Sequence, residues 1–163
     1  MVKSSLRLLK GVILAVLFWL SMPLLLGAAS YFINSGGAVE QILVDRAVSH
    51  LRILRAHCDD PDLQGVLDYT IRRYKRIGPF DVCVTCIPQN RKGWQILGCN
   101  NPLVPGITLD IEAVAHSTQH ELAMLIVHEA LHDYWPCLGH GHVTPRMEIL
   151  ERLTAKLQKE GVL

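Results

Sequence analysis

The chain has 163 residues, half of them hydrophobic, and a formal net charge of +1. This length suits one small domain rather than two. The near-neutral charge gives no sign of a nucleic-acid-binding surface, so we expect no nucleic-acid partner. Five cysteines are too few for a scaffold held together mainly by disulfides.

The N-terminal part of the chain predicts a membrane anchor. An uncharged stretch of 23 residues, 11–33, follows the basic residues Lys3, Arg7 and Lys10. It is long enough to cross a bilayer as a helix, and the positive flank places the N-terminus in the cytoplasm and the rest of the chain in the periplasm or outside the cell. The alternative is a signal peptide cleaved near Gly27-Ala28-Ala29, which would leave a secreted protein. We therefore expect a segment 1–34 that anchors or exports one domain over residues 35–163, with membrane contact through residues 11–33.

Two amphipathic helices open the predicted domain. Apolar residues recur at three- and four-residue steps from Ala38 to His57, which predicts the first helix. Asp60 and Pro61 predict the start of the second helix, with Asp60 as its N-cap. Gly78-Pro79 predicts its end.

The hydrophobic period then changes from helical to strand-like. Residues 80–87 and 94–99 flank a turn at 90–93, and together they predict a β-hairpin. Alternating apolar and polar residues at 107–111 predict a third strand, which could be an edge that pairs with an extended substrate. Helices, a short antiparallel sheet and further helices make an α+β fold.

Capping signals predict two C-terminal helices. Thr118 and Glu121 have the spacing of a capping box at the start of one helix, and Pro136 ends it. Residues 137–144 form a glycine-rich loop in this prediction. Thr144-Pro145 then starts the last helix.

The first of these helices carries the motif H-E-x-x-H at His128, Glu129 and His132. Residues four apart lie on one face of a helix, so both imidazoles can face one metal ion. Glu129 lies about 100° around the helix from His128, near enough to hold a metal-bound water. Two histidine ligands, a water and a carboxylate base are the arrangement of a zinc-dependent peptidase.

A catalytic zinc takes three protein ligands and keeps one position open, so a third ligand must follow the motif. One choice is His140 or His142 in the glycine-flanked loop, of which only one would bind because alternate residues of an extended segment face opposite ways. We favour His142, which is nearer the last helix. The other choice is Glu148 or Glu151, if the last helix packs back against the motif helix.

Residues 128–153 resemble the zincin metallopeptidases, and within them HEALH, GHGH and RMEILERL are similar to the SprT-like group. The resemblance implies a zincin-like domain in which H-E-x-x-H supplies two zinc ligands and the catalytic glutamate. It implies that His140 or His142 is the third ligand. The gluzincins, whose glutamate ligand falls at about the spacing of Glu151, are the alternative subfamily.

The expected function is zinc-dependent hydrolysis of peptide bonds in a protein or peptide substrate. Zinc would activate a water molecule, and Glu129 would act as the general base. A further group must stabilise the oxyanion, and the candidates are Tyr134, His120 and His116. The alternative is a non-catalytic, membrane-anchored protein that binds metal or has a structural role.

Outside the cytoplasm the five cysteines would tend to form disulfides, with at least one left over. Cys83 and Cys86 have C-x-x-C spacing, but residues three apart on a strand face opposite sides. A bridge from Cys83 to Cys58 or Cys99 is therefore at least as well supported as a Cys83–Cys86 bond, and the odd cysteine, Cys137 included among the five, could be left over or pair between chains.

Overall fold

A computed structural model describes part of the chain, residues 37–78, 81–85, 87, 96–100, 106–135 and 140–163. The predicted anchor or signal segment, residues 1–34, lies outside these ranges. That segment, its cleavage and the domain boundary after it therefore stay predictions. Among the described residues, no helix is both long enough and apolar enough to cross a bilayer.

The described residues form five α-helices and a three-stranded sheet, which confirms the α+β class. In chain order they are α1 (Ala38–His57), α2 (Pro61–Arg73), β1 (Val82–Thr85), β2 (Gly98–Asn100), β3 (Ile107–Asp110), α3 (Ile111–His116), α4 (Gln119–Tyr134) and α5 (His140–Lys159).

Local capping interactions fix the starts of α2 and α4 as predicted. The Asp60 carboxylate accepts hydrogen bonds from the backbone N–H groups of Asp62 and Leu63, at 2.9 and 3.1 Å. Thr118 and Glu121 form a reciprocal capping box at the start of α4. Such caps satisfy backbone donors that have no partner within the helix, so a few neighbouring residues are enough to specify them.

The sheet has the order β1–β3–β2. The central strand β3 is parallel to β1, with Ile107 opposite Val82, and antiparallel to β2, with Leu109 opposite Gly98. The predicted hairpin between the first two strands is therefore wrong, and the sheet is mixed rather than antiparallel. The prediction of an edge at 107–111 is also wrong, because both sides of β3 are paired. In the described sheet β1 and β2 are the edge strands.

A short helix, α3, was not predicted between β3 and the motif helix. Asp110 ends β3, and its side chain accepts hydrogen bonds from the N–H groups of Glu112 and Ala113, which starts α3. The same carboxylate accepts a hydrogen bond from the N–H of Ile87 at 2.9 Å. One aspartate thus links the end of the sheet to the helical layer.

The last helix begins at His140, four residues before the predicted start at Thr144-Pro145. Pro145 lies inside α5, where it removes only one hydrogen bond, the one to the carbonyl of Gly141 near the helix start. Arg146 lies over the ring of Trp135 at 4.4 Å and donates a hydrogen bond to the carbonyl of His142. These contacts join the start of α5 to the end of α4.

Helix α4 lies at the centre of the domain and packs against α1, α2, α5 and β2. Its buried apolar side chains include Leu122, Ile126 and Leu131, none more than 1% exposed. Burying a side chain of this size stabilises the fold by about 1.5–3 kcal/mol. The H-E-x-x-H motif is therefore carried by a helix that is fixed on several sides.

No disulfide joins Cys58, Cys83 and Cys99 to one another. Cys83 and Cys99 lie opposite Thr108 from the two sides of β3, so two strand spacings, about 9.6 Å, separate their α-carbons. A disulfide requires less than about 7 Å. The predicted bridges from Cys83 to Cys58 or Cys99 are therefore wrong. The other two cysteines lie outside the described residues: Cys86 and Cys137.

Candidate metal centre

Helices α4 and α5 bring together three histidines, His128, His132 and His140. One ring nitrogen from each lies within 4.8 Å of the other two. The ring centroids are 5.1 Å apart for His128–His132, 5.4 Å for His128–His140 and 4.9 Å for His132–His140. His128 and His132 are half-buried and His140 is exposed, so the cluster can be reached from solvent.

The donor set of this histidine cluster fits zinc. A tetrahedral ion with Zn–N distances of about 2.0–2.1 Å needs ligand nitrogens about 3.3 Å apart, which small rotations of the three rings can provide. Burial, and then the neighbouring His132 and His140, lower the pKa of His128 below its usual value. The neutral imidazole favoured by this shift is the form that binds a metal ion. These three histidines can hold a metal ion.

The third member of the cluster is His140, whereas the sequence favoured His142. Both residues lie in the first turn of α5, two positions apart and therefore about 200° apart around the helix. The two side chains therefore face different ways, as predicted, although the cause is the geometry of a helix and not that of an extended segment. The difference from the prediction arises because α5 starts earlier and places His140 beside the end of α4.

The two glutamates considered as ligands lie outside the histidine cluster. Both line an open cavity of about 470 Å³ beside His128, together with Thr144, Met147 and Arg152. Glu151 Oε2 lies 2.9 Å from His120 Nε2, and His120 Nδ1 lies 3.4 Å from Nε2 of the buried His50. The Glu151 carboxylate is thus paired with a histidine on α4, while Glu148 remains at the cavity wall.

Glu129 is buried between α4 and β2, with only 6% of its surface exposed. A Cβ atom at Gly98 would lie 3.1 Å from both Cγ and Oε1 of Glu129, so the carboxyl lies directly against β2. No described residue forms a hydrogen bond or an ion pair with it. Burial raises the pKa of Glu129 to about 7. Burying a carboxyl costs free energy unless donors compensate, and the described residues supply none to Glu129.

The three candidate oxyanion stabilisers are not brought into the histidine cluster. His120 is engaged with Glu151 and His50. His116 is exposed, pairs with a glutamate one turn earlier in α3 and lines a separate cavity of about 480 Å³. The hydroxyl of Tyr134 lies close to Gly65 of α2, and its ring packs against neighbouring aromatic rings.

Asp133, the residue after His132, has a role that the sequence did not reveal. Its carboxylate accepts hydrogen bonds from the hydroxyls of Tyr69, at 2.5 Å, and Tyr74, and it lies 3.4 Å from Nε of Arg73. Burial alone would raise the pKa of Asp133, but these partners hold it below its usual value. The group fixes the last turn of α4 to α2 and so fixes the backbone next to His132. The available signal was a pair of tyrosines five residues apart, Tyr69 on α2 and Tyr74 directly after its end.

Comparison with known proteins yields no relative: no family model, curated protein or solved structure matches this chain. The likeness to zincins therefore stands on the H-E-x-x-H motif and on the histidine cluster that the fold builds around it.

Proposed function

We propose that the protein is a zinc-dependent metallopeptidase of zincin type, with motifs similar to those of the SprT-like group. In this proposal His128, His132 and His140 hold the metal and Glu129 is the general base. The observation that carries it is the environment of Glu129, which is buried next to the histidine cluster and has no partner among the described residues. A carboxyl with a structural role would be expected to have a hydrogen-bond donor. A general base must keep its oxygens available for a water proton.

The surroundings of Glu129 support peptide hydrolysis in particular. Bound zinc would polarise the scissile carbonyl and make the attacking water more acidic. Glu129 would orient this water, accept its proton and deliver the proton to the leaving amine. The edge strand β2 lies against Glu129 at Gly98. No strand among the described residues pairs with its outer side, where an extended peptide could add by backbone hydrogen bonds. The cavity beside His128 offers space for a substrate side chain.

The site of action that we propose is the outer side of a membrane. It rests on the uncharged stretch 11–33 and its basic N-terminal flank, which would anchor the chain and export the domain. Secretion after cleavage of the same segment is the alternative.

Zinc content and hydrolysis of a general substrate such as labelled casein test the function together. Wild type, Glu129→Gln and the matched control Glu160→Gln are compared as full-length chains, the control being an exposed position at the end of α5. We expect one zinc in each protein, full activity in the control and a loss of about 10²- to 10⁴-fold in Glu129→Gln, the usual contribution of a general base.

Each other outcome contradicts part of the proposal. A wild type without zinc would remove the metal site. A zinc-loaded wild type without hydrolysis would leave the alternative, a non-catalytic metal-binding protein. A Glu129→Gln variant that holds zinc and remains fully active would refute the role of Glu129.

A further inference from the structure

The N-terminal end of α1 exposes two large apolar side chains. Val39 is 66% exposed and Ile42 is 51% exposed, more than any other large hydrophobic residue that the structure describes. The two are three positions apart, so they lie together on one face of the helix. That face points away from the domain core, which α1 contacts through residues such as Val44 and Leu51.

A basic segment lies against the same end of α1. The side chain of Gln41 donates a hydrogen bond to the carbonyl of Lys75, at 3.3 Å, and accepts one from the N–H of Ile77, at 2.9 Å. This double contact fixes the residues that follow α2 beside the start of α1. Arg72, Lys75 and Arg76 are all exposed there.

These three cations have no acidic partner among the described residues, whereas other arginines do. Arg55 pairs with Asp68 and Arg73 with Asp133. The two carboxylates at the start of α1 hydrogen-bond to neutral donors, Glu40 to the N–H of Gly37 and Asp45 to the amide of Gln41, so the three cations exceed the negative charge there by one. The end of the domain therefore combines exposed apolar groups with unpaired positive charge.

The position of this end in the chain indicates what would cover it. Only residues 34–37 separate the uncharged stretch 11–33 from the start of α1 at Ala38. Five residue steps span at most about 17 Å when fully extended. If residues 11–33 cross a bilayer, the start of α1 must lie within that distance of the membrane surface.

We propose that Val39, Ile42, Arg72, Lys75 and Arg76 form a basal surface that docks onto a bilayer containing anionic phospholipid. The two apolar side chains would enter the boundary between headgroups and acyl chains, and the cations would contact the negative headgroups. The inference rests on the proposed membrane anchor and is independent of the peptidase activity.

The sheet provides a control position at its end away from Ile77. Ile77 forms a β-bridge with Val82 at one end of the sheet. The carbonyl of Leu97 accepts a hydrogen bond from the N–H of Asp110 at the other end. The side chain of Leu97 is 41% exposed, so it tolerates replacement and can be reached by a reagent.

Photo-crosslinking in vesicles tests the proposal with the full-length chain. A benzophenone amino acid replaces Ile42 or, as control, Leu97, and the chain is reconstituted in phosphatidylcholine vesicles with or without phosphatidylglycerol. We expect lipid adducts from position 42 at a yield several-fold above that from position 97, and a higher yield with phosphatidylglycerol. Lys75→Gln/Arg76→Gln should weaken docking by up to about 25-fold, since each cation near an anionic surface contributes about fivefold.

The matched double variant Arg52→Gln/Lys159→Gln removes the same charge elsewhere on the exposed surface and should leave the yield unchanged. Equal adduct yields at positions 42 and 97, adducts with a second copy of the chain instead of lipid, or yields that ignore phosphatidylglycerol would each overturn the proposal. A full-length chain that does not associate with vesicles would overturn it as well. None of these results depends on zinc or on hydrolysis, so failure here is distinct from failure of the proposed function.

Discussion

Replacing Asp133 should reveal how strongly the fold holds the helix of the histidine cluster. Its carboxylate accepts hydrogen bonds from Tyr69 and Tyr74 and faces Arg73. Tyr74 is fully buried, so Asp133→Ala leaves its hydroxyl without that acceptor. A buried donor left unpaired costs about 1–3 kcal/mol, and a hydrogen bond to a charged group contributes about 1.5–3 kcal/mol. We therefore expect Asp133→Ala to lower the free energy of unfolding by about 3–5 kcal/mol, a large share of the usual 5–15 kcal/mol.

Urea unfolding in the presence of a chelator, followed by tryptophan fluorescence, measures this loss without a contribution from metal binding. Tyr74→Phe alone should cost about 1–2 kcal/mol. In the Asp133→Ala background Tyr74→Phe should cost nothing, because the Tyr74 hydroxyl has already lost its bond to Asp133. The difference between the two costs of Tyr74→Phe is a coupling energy of at least about 1 kcal/mol. Asp59→Ala, an exposed control, should stay within about 0.5 kcal/mol of wild type. A loss below about 1 kcal/mol in Asp133→Ala, or additive effects in the double variant, would refute the reasoning.

Two further predictions concern Glu129 and His50. Gly98→Ala places a methyl group 3.1 Å from Cγ and Oε1 of Glu129, so the carboxyl must shift. We expect kcat to fall about tenfold with zinc content unchanged. The control Gly78→Ala, whose added methyl group meets open space, should be neutral. Equal kcat values in the two variants would contradict this. Burial is the main cause that lowers the pKa of His50 in the folded state. His50 therefore binds a proton more readily in the unfolded chain, and the free energy of unfolding should fall as pH drops below about 6.5. His50→Gln should reduce this loss between about pH 7 and 5 in urea unfolding, and an unchanged slope would show that His50 is not its source.

The features that could be predicted from the sequence are those set by neighbouring residues. Asp60 before Pro61 specifies the start of α2, and Thr118 with Glu121 specifies the start of α4, because each cap satisfies N–H groups within one turn. The hydrophobic period likewise predicted α1 with its observed bounds, Ala38–His57.

The pairing of the strands could not be predicted from the same kind of signal. Alternation identifies Ile107–Asp110 as a strand but carries no information about which strands lie on either side of it. The parallel partner of β3 lies more than twenty residues earlier in the chain, and β2 comes between the two in sequence. The choice of neighbours depends on how the helices cover the sheet, which is a property of the whole fold.

The third histidine shows the same limit within the site. Thr144-Pro145 resembles a helix start, because proline is favoured at the first helical position. The helix starts instead at His140, where the stacking of Arg146 on Trp135 joins α5 to α4. Packing between the two helices, which no local pattern encodes, accompanies the earlier start, and His140 rather than His142 lies in the cluster.

Zinc affinity of single histidine variants tests the central claim most directly. Wild type should bind one zinc ion, and His128→Ala, His132→Ala and His140→Ala should each weaken binding by about 100-fold or more, since a site left with two histidines loses the three-ligand set. His142→Ala should bind as wild type does, because His142 lies outside the cluster in the first turn of α5. Loss of zinc from His142→Ala with retention in His140→Ala would contradict the site described here.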